Sequence, residues 1–166
     1  LYTSTGDVLI RKEMKFYDNF YITSKHISEL LINKYQDSIN FTICRLFGLY
    51  GENQKKGLIH NLTTRINENK KIFLNGDSSG DLLYLTHVDD CADCINFFIK
   101  KKIAGVYDIA PEKNISIKKV CDIISQKKKL KVNVMYKKKA SVKIYKPNLK
   151  NLKKVYDISK FRDAII

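Results

Sequence analysis

Tyr21-Ile22-Thr23-Ser24-Lys25 opens the first helix that the sequence supports, between two segments with the character of strands. Upstream lies Leu1-Tyr2-Thr3-Ser4-Thr5, a strand that ends in hydroxyls. Downstream lies Phe41-Thr42-Ile43-Cys44-Arg45-Leu46-Phe47, apolar and β-branched. Ile27, Leu30 and Leu31 fall on one side at helical spacing and extend the helix from about Tyr21 to Tyr35, with Glu29 inside it. Strand, helix and strand in this order form a βαβ unit, whose two strands run parallel in one sheet. The helix also fixes a chemical pair. Tyr21 and Lys25 are four residues apart, so a phenol and an ammonium share one helix face.

The pair alone decides little, because a chain this rich in Tyr and Lys yields one or two such spacings by chance. A second one, Tyr156-Asp157-Ile158-Ser159-Lys160, has no hydroxyl-bearing strand before it and reads as surface. The rest of the chain continues the alternation. Gly48-Leu49-Tyr50-Gly51 breaks the second strand; a helix is expected over Leu58–Asn67 and a short strand over Lys71–Leu74. Residues 75–80 form a turn cluster, and Leu82–Leu85 a further short strand. Asp89 is expected to cap a helix running to about Lys101, and Ser116 one running to about Lys127. Gly105–Ile109 and Val132–Tyr136 read as strands. After Pro147 come Leu149, Leu152 and Val155, then a short helix near Phe161. The fold class is therefore α/β.

A length of 166 residues suits one domain with a real core. There is no apolar run long enough for a membrane helix and no leader-like segment, so a cytoplasmic protein without membrane attachment is expected. The chain opens on Leu1 inside an apparent strand, so sequence upstream of it is expected. The net charge of +14 invites a nucleic-acid reading. Against it, the lysines come in short runs such as Lys100–Lys102, Lys127–Lys129 and Lys137–Lys139, two of them at helix ends that suit a cation. Arg, the usual base reader, occurs only at Arg11, Arg45, Arg65 and Arg162. Nucleic acid is the least favoured partner. Cys91-Ala92-Asp93-Cys94 lacks the second ligand pair of a structural zinc site and reads as semi-buried helix, and Cys44 as core. His26, His60 and His87 have no partner at metal-ligand spacing, so no metal is expected.

Five ordered blocks carry a resemblance. Thr3-Ser4-Thr5, Tyr21-x-x-Ser24-Lys25-x-x-x-Glu29, Arg45-Leu46-Phe47-Gly48-Leu49-Tyr50-Gly51, Ile72-Phe73-Leu74-x-Gly76-Asp77 with His87-Val88-Asp89-Asp90-Cys91-Ala92, and Gly105-Val106-Tyr107-Asp108-Ile109 with Ile115-Ser116-Ile117 follow one another. They resemble the C-terminal half of an extended short-chain dehydrogenase/reductase of the NAD-dependent nucleotide-sugar epimerase/dehydratase group. The resemblance implies a partial Rossmann-like parallel sheet plus a small mixed substrate-binding lobe, with residues 1–50 mostly in the first and 51–166 mostly in the second. It implies NAD or NADP as cofactor, a nucleotide-sugar as substrate and a homodimer.

The resemblance also assigns roles. Tyr21 is implied as general acid/base. A phenol ordinarily titrates near ~10, and a neighbouring cation favours its phenolate. Lys25 is implied to supply that cation and to hold the nicotinamide ribose. Thr5, with Ser4 as the spare, would hydrogen-bond the reacting sugar oxygen. Phe47 would lie beside the nicotinamide, and Thr5, Gly48 and Phe73 would contact substrate. Departures shape the expectation. The Gly-rich dinucleotide turn is absent from the 166 residues, the Asn expected after Phe47 is Gly48, and Leu82 or Leu83 stands where an Arg usually grips phosphate. Thr5-Gly6-Asp7 replaces the Thr-Asp-Glu of sugar dehydratases, which tilts the reading toward an epimerase or keto-sugar reductase. The alternative is an inactive remnant or one half of a split enzyme that lacks cofactor binding.

Overall fold

The computed structural model describes residues 1–10, 19–76, 78–142 and 144–163, so Arg11, Lys12, Glu13 and Asp77 lie outside the described residues. Strand β1 is Tyr2–Thr5, helix α1 Phe20–Lys34 and strand β2 Thr42–Leu46. β1 and β2 pair in parallel, with Thr3 opposite Cys44 and Thr5 opposite Leu46. Strand β5, Gly105–Ile109, adds in parallel to the far side of β2, giving the order β1-β2-β5. Gly6–Ile10 winds into a 310 turn directly after β1.

Alternation along the strands sends successive rows to opposite faces. Cys44, Tyr107 and Ile109 face helix α3, Val88–Lys101, and helix α5, Lys150–Val155, in one core with Cys91, Cys94, Phe98 and Leu152. The Cys91–Cys94 pair is therefore fully buried rather than semi-buried, since α3 lies flat on the sheet. The opposite row, Ser4, Arg45 and Asp108, meets α1. Here the helix differs from expectation. Its buried residues are His26 and Glu29, whereas Ile27, Leu30 and Leu31 are about half exposed. A charged partner on the sheet has selected the polar face of α1.

The second cluster of apolar residues gathers helix α2, Leu58–Asn67, strand β3, Ile72–Asn75, and helix α4, Ile117–Lys128, around Leu62, Leu74 and Val120. β3 pairs in parallel with β7, Val134–Lys137. β4, Leu82–Leu83, pairs antiparallel with β6, Ile115–Ser116. Ser116 caps α4 as expected, its hydroxyl accepting from Lys119 N–H. The cap of α3 is His87 rather than Asp89. Its Nδ1 accepts from the Asp89 N–H, which leaves both Asp89 and Asp90 in the first turn, where they suit the helix dipole. No helix among the described residues is long and apolar enough to cross a membrane.

Candidate active site

The site grows from the carboxyl ends of β1 and β2, the usual place for ligands in an open parallel sheet. α1 follows β1 and runs back against it, so its first turn, with Tyr21, lies at the end where β1 finishes in Thr5. Asn19 caps that turn, its side chain accepting from Ile22 N–H. Lys25 leans onto the strand. Its Nζ donates to the Thr3 carbonyl at 2.8 Å and lies 4.9 Å from the centre of the Tyr2 ring and 5.9 Å from that of Tyr21.

Thr5 is buried, and its Oγ1 accepts the Asp7 N–H at 3.3 Å. It lines a cavity of about 230 Å³ together with Asp7, Phe47 and Gly48. Leu82 and Leu83 of β4 and Tyr84 also line the cavity, so both leucines that stand near the expected phosphate-gripping Arg border it. Phe47 is held by its N–H to the Ile109 carbonyl and presses on Gly6, where an added Cβ would come within 2.6 Å of the ring. Gly48 has φ +47, and a Cβ there would meet the Tyr84 carbonyl oxygen at 2.3 Å, so the position requires glycine.

The structure thus brings Thr5, Phe47 and Gly48 to one cavity and sets Tyr21 and Lys25 beside β1, outside the lining of that cavity. Ser4 does not line it; its buried Oγ, without a hydrogen-bond partner among the described residues, lies in the Arg45–Asp108 row on the α1 face. Phe73 lies elsewhere, exposed on β3 with Lys137 over its ring at 5.5 Å. Among the described residues no group of three His, Cys, Asp or Glu is placed to hold a metal.

Two features escaped the sequence. Under α1, Arg45 donates to both Glu29 oxygens, with Nη2–Oε2 at 2.7 Å, and lies 3.6 Å from Asp108. Glu29 and Asp108 are both nearly fully buried. Burial lifts the Asp108 carboxyl above its ordinary value, opposed by the Asn148 N–H and by Arg45. Glu29 and Arg45 stand in two of the quoted blocks, and the block spacing was the only signal that they meet. The second feature is at the start of α3, where Arg162 bonds His87 Nδ1 at 2.6 Å and Asp89 at 2.8 Å and donates its backbone N–H to Asp90. This ties the tail to the helix end.

The donor set suits one end of a nicotinamide dinucleotide. Lys25 carries three protons and commits one to Thr3, which leaves two for a ribose diol. Nothing in the 166 residues matches the Gly-rich turn that would hold the pyrophosphate.

A parallel sheet flanked by helices on both faces, with α1 running back against β1, is a Rossmann-like arrangement. The model of the NAD dependent epimerase/dehydratase family matches residues 9–110, and the chain belongs to that family. Among solved structures, the chain is similar to a UDP-N-acetylglucosamine 4-epimerase from Methanobrevibacter ruminantium M1 in complex with UDP-N-acetylmuramic acid, at 20% identity and TM-score 0.70, over 93% of this chain and 55% of that one. It is similar to the dTDP-glucose 4,6-dehydratase of Bacillus anthracis in complex with NAD, at 22% identity and TM-score 0.71, over 92% and 53%. A UDP-glucuronic acid 4-epimerase from Bacillus cereus, in complex with UDP-glucuronic acid and NAD, matches at 23% identity and TM-score 0.68, over 95% and 52%. The chain spans about half the length of these proteins. No curated protein matches the sequence significantly.

Proposed function

We propose that this chain supplies the acid/base residues and the sugar cavity of an NAD(P)-dependent oxidoreductase acting on a nucleotide-sugar, together with a dinucleotide-binding half outside these 166 residues. The observation that carries it is the convergence at β1. Thr5 ends the strand inside a cavity, while Lys25, from the helix face that bears Tyr21, bonds the same strand at Thr3. The Thr5 Oγ1 accepts from Asp7, so its own proton is available to the reacting sugar oxygen. Tyr21 takes the hydroxyl proton as the carbon is oxidised and returns it on reduction. Lys25 holds the cationic charge beside that phenol and offers its remaining donors to the ribose. The nicotinamide, when bound, supplies the hydride acceptor. Phe47 and Gly48 shape the wall beside Thr5.

Asp7 as the single acid after Thr5 favours epimerisation or keto-sugar reduction over dehydration. The exposed apolar residues of α1, Ile27, Leu30 and Leu31, support a homodimer that covers this face. Tyr21→Phe in the full-length protein tests the reading. Turnover should fall by at least ~10²-fold with cofactor affinity little changed, as expected for loss of a general acid/base. Retained turnover would refute the assignment.

A further inference from the structure

The cavity beside Thr5 has an unusual lining for so basic a protein. The chain carries 31 Lys and Arg, yet none of the described residues that line this cavity is Lys, Arg or His. Leu58, Ile59, Leu82 and Leu83 line it together with Thr5 and Tyr84. Among the described lining residues the one formally charged side chain is that of Asp7, an exposed residue whose backbone N–H donates to Thr5 Oγ1. A carboxylate or phosphate placed there would meet a like charge, with no Lys, Arg or His among the described lining residues to offset it.

We propose that Asp7 makes this cavity select against acidic rings. It accepts a neutral or ammonium-bearing sugar ring and rejects a uronate. The proposal rests on the reading of the cavity as the sugar site and adds the class of sugar. Its size suits a single ring, below the ~300–1,000 Å³ of pockets that enclose a whole drug-sized ligand. Two like charges ~6 Å apart at an effective dielectric of ~20 repel strongly, and solvent at the Asp7 edge reduces the effect to about tenfold in affinity.

The test uses the 166-residue chain and three small probes: methyl glucoside, the methyl glycoside of glucuronic acid and the methyl glycoside of glucosamine. Binding is followed by amide chemical shifts at Thr5, Gly48 and Leu83. The expected result is that the neutral and amino probes shift these amides, with the uronate at least ~10-fold weaker. Asp7→Asn should bring the uronate to within ~3-fold of the glucoside, since the repulsion is gone. Discrimination that survives Asp7→Asn, or a uronate that binds as well as glucoside to the unmodified chain, would overturn the proposal while leaving the sugar site in place. If none of the probes shifts these amides, the sugar-site reading falls and the proposal with it.

Discussion

Replacing Arg45 with Met should destabilise the chain by an amount that depends on pH. Arg45 makes three hydrogen bonds to Glu29, at 3.0, 3.1 and 2.7 Å, and lies 3.6 Å from Asp108. Its side chain is 22% exposed, and those of Glu29 and Asp108 are each 3% exposed. Removing the cation leaves two buried carboxylates facing each other across the α1 interface. Breaking a buried pair costs about 3–5 kcal/mol, and partial exposure of Arg45 argues for ~3 kcal/mol. With a urea dependence of ~2 kcal/mol per molar, the unfolding midpoint should drop by about 1.5 M at neutral pH. The Asp108 carboxyl is already raised above its ordinary value, chiefly by burial. A carboxyl raised in the folded state adds stability as pH falls through its raised value and loses it as pH rises back. Without Arg45 the rise grows, so the deficit should be largest at neutral pH and shrink on mild acidification. Adding Glu29→Met to Arg45→Met should restore part of the loss, because one unpaired charge is gone. Urea titrations monitored by circular dichroism at neutral and mildly acidic pH decide it. A deficit under ~1 kcal/mol, or one that does not change with pH, would refute the account of this network.

Burial pushes the Cys44 and Cys94 thiols up to about 12 and those of Cys91 and Cys121 to about 11, so a thiol reagent at mildly alkaline pH should label none of the four until the chain unfolds; a fast-reacting thiol in the folded chain would contradict this. Gly48→Ala should cost at least ~1–3 kcal/mol in urea unfolding, since it combines a positive φ with a Cβ 2.3 Å from the Tyr84 carbonyl oxygen. Unchanged stability would mean that the loop is placed differently. Tyr21→Phe should leave the unfolding free energy of the 166-residue chain within about 0.5 kcal/mol of the parent, because the residue is 54% exposed. The same chain alone should bind NAD no tighter than the millimolar range in calorimetry, for want of a pyrophosphate cradle; micromolar binding would contradict that.

Most of the order of elements was legible because it depends on local spacing, whereas strand β6 and helix α5 were not expected. Leu58–Asn67 and Gly105–Ile109 carry periodicity and Gly boundaries that no distant contact overrides. Which side of α1 meets the sheet was not legible. Its apolar residues predict an inward stripe, but Glu29 finds Arg45 16 residues away on β2, and only the folded sheet brings Asp108 to the same row. The cap of α3 was misplaced by two residues because acids suit a helix cap and a first turn equally, and nothing local marks His87 as an acceptor. The cavity was legible only in part. Thr5, Phe47 and Gly48 stand at strand ends that the blocks predict, whereas Leu83 and Tyr145 arrive from remote segments.

The most direct test of the central claim is isotope transfer. The full-length protein is incubated with NAD or NADP and nucleotide-sugars deuterated at the ring carbons, and the nicotinamide is examined by mass spectrometry. The account predicts deuterium on the nicotinamide with the parent protein and none with Tyr21→Phe. Transfer that persists in Tyr21→Phe, or a parent protein that binds cofactor and sugar yet moves no deuterium, would contradict it.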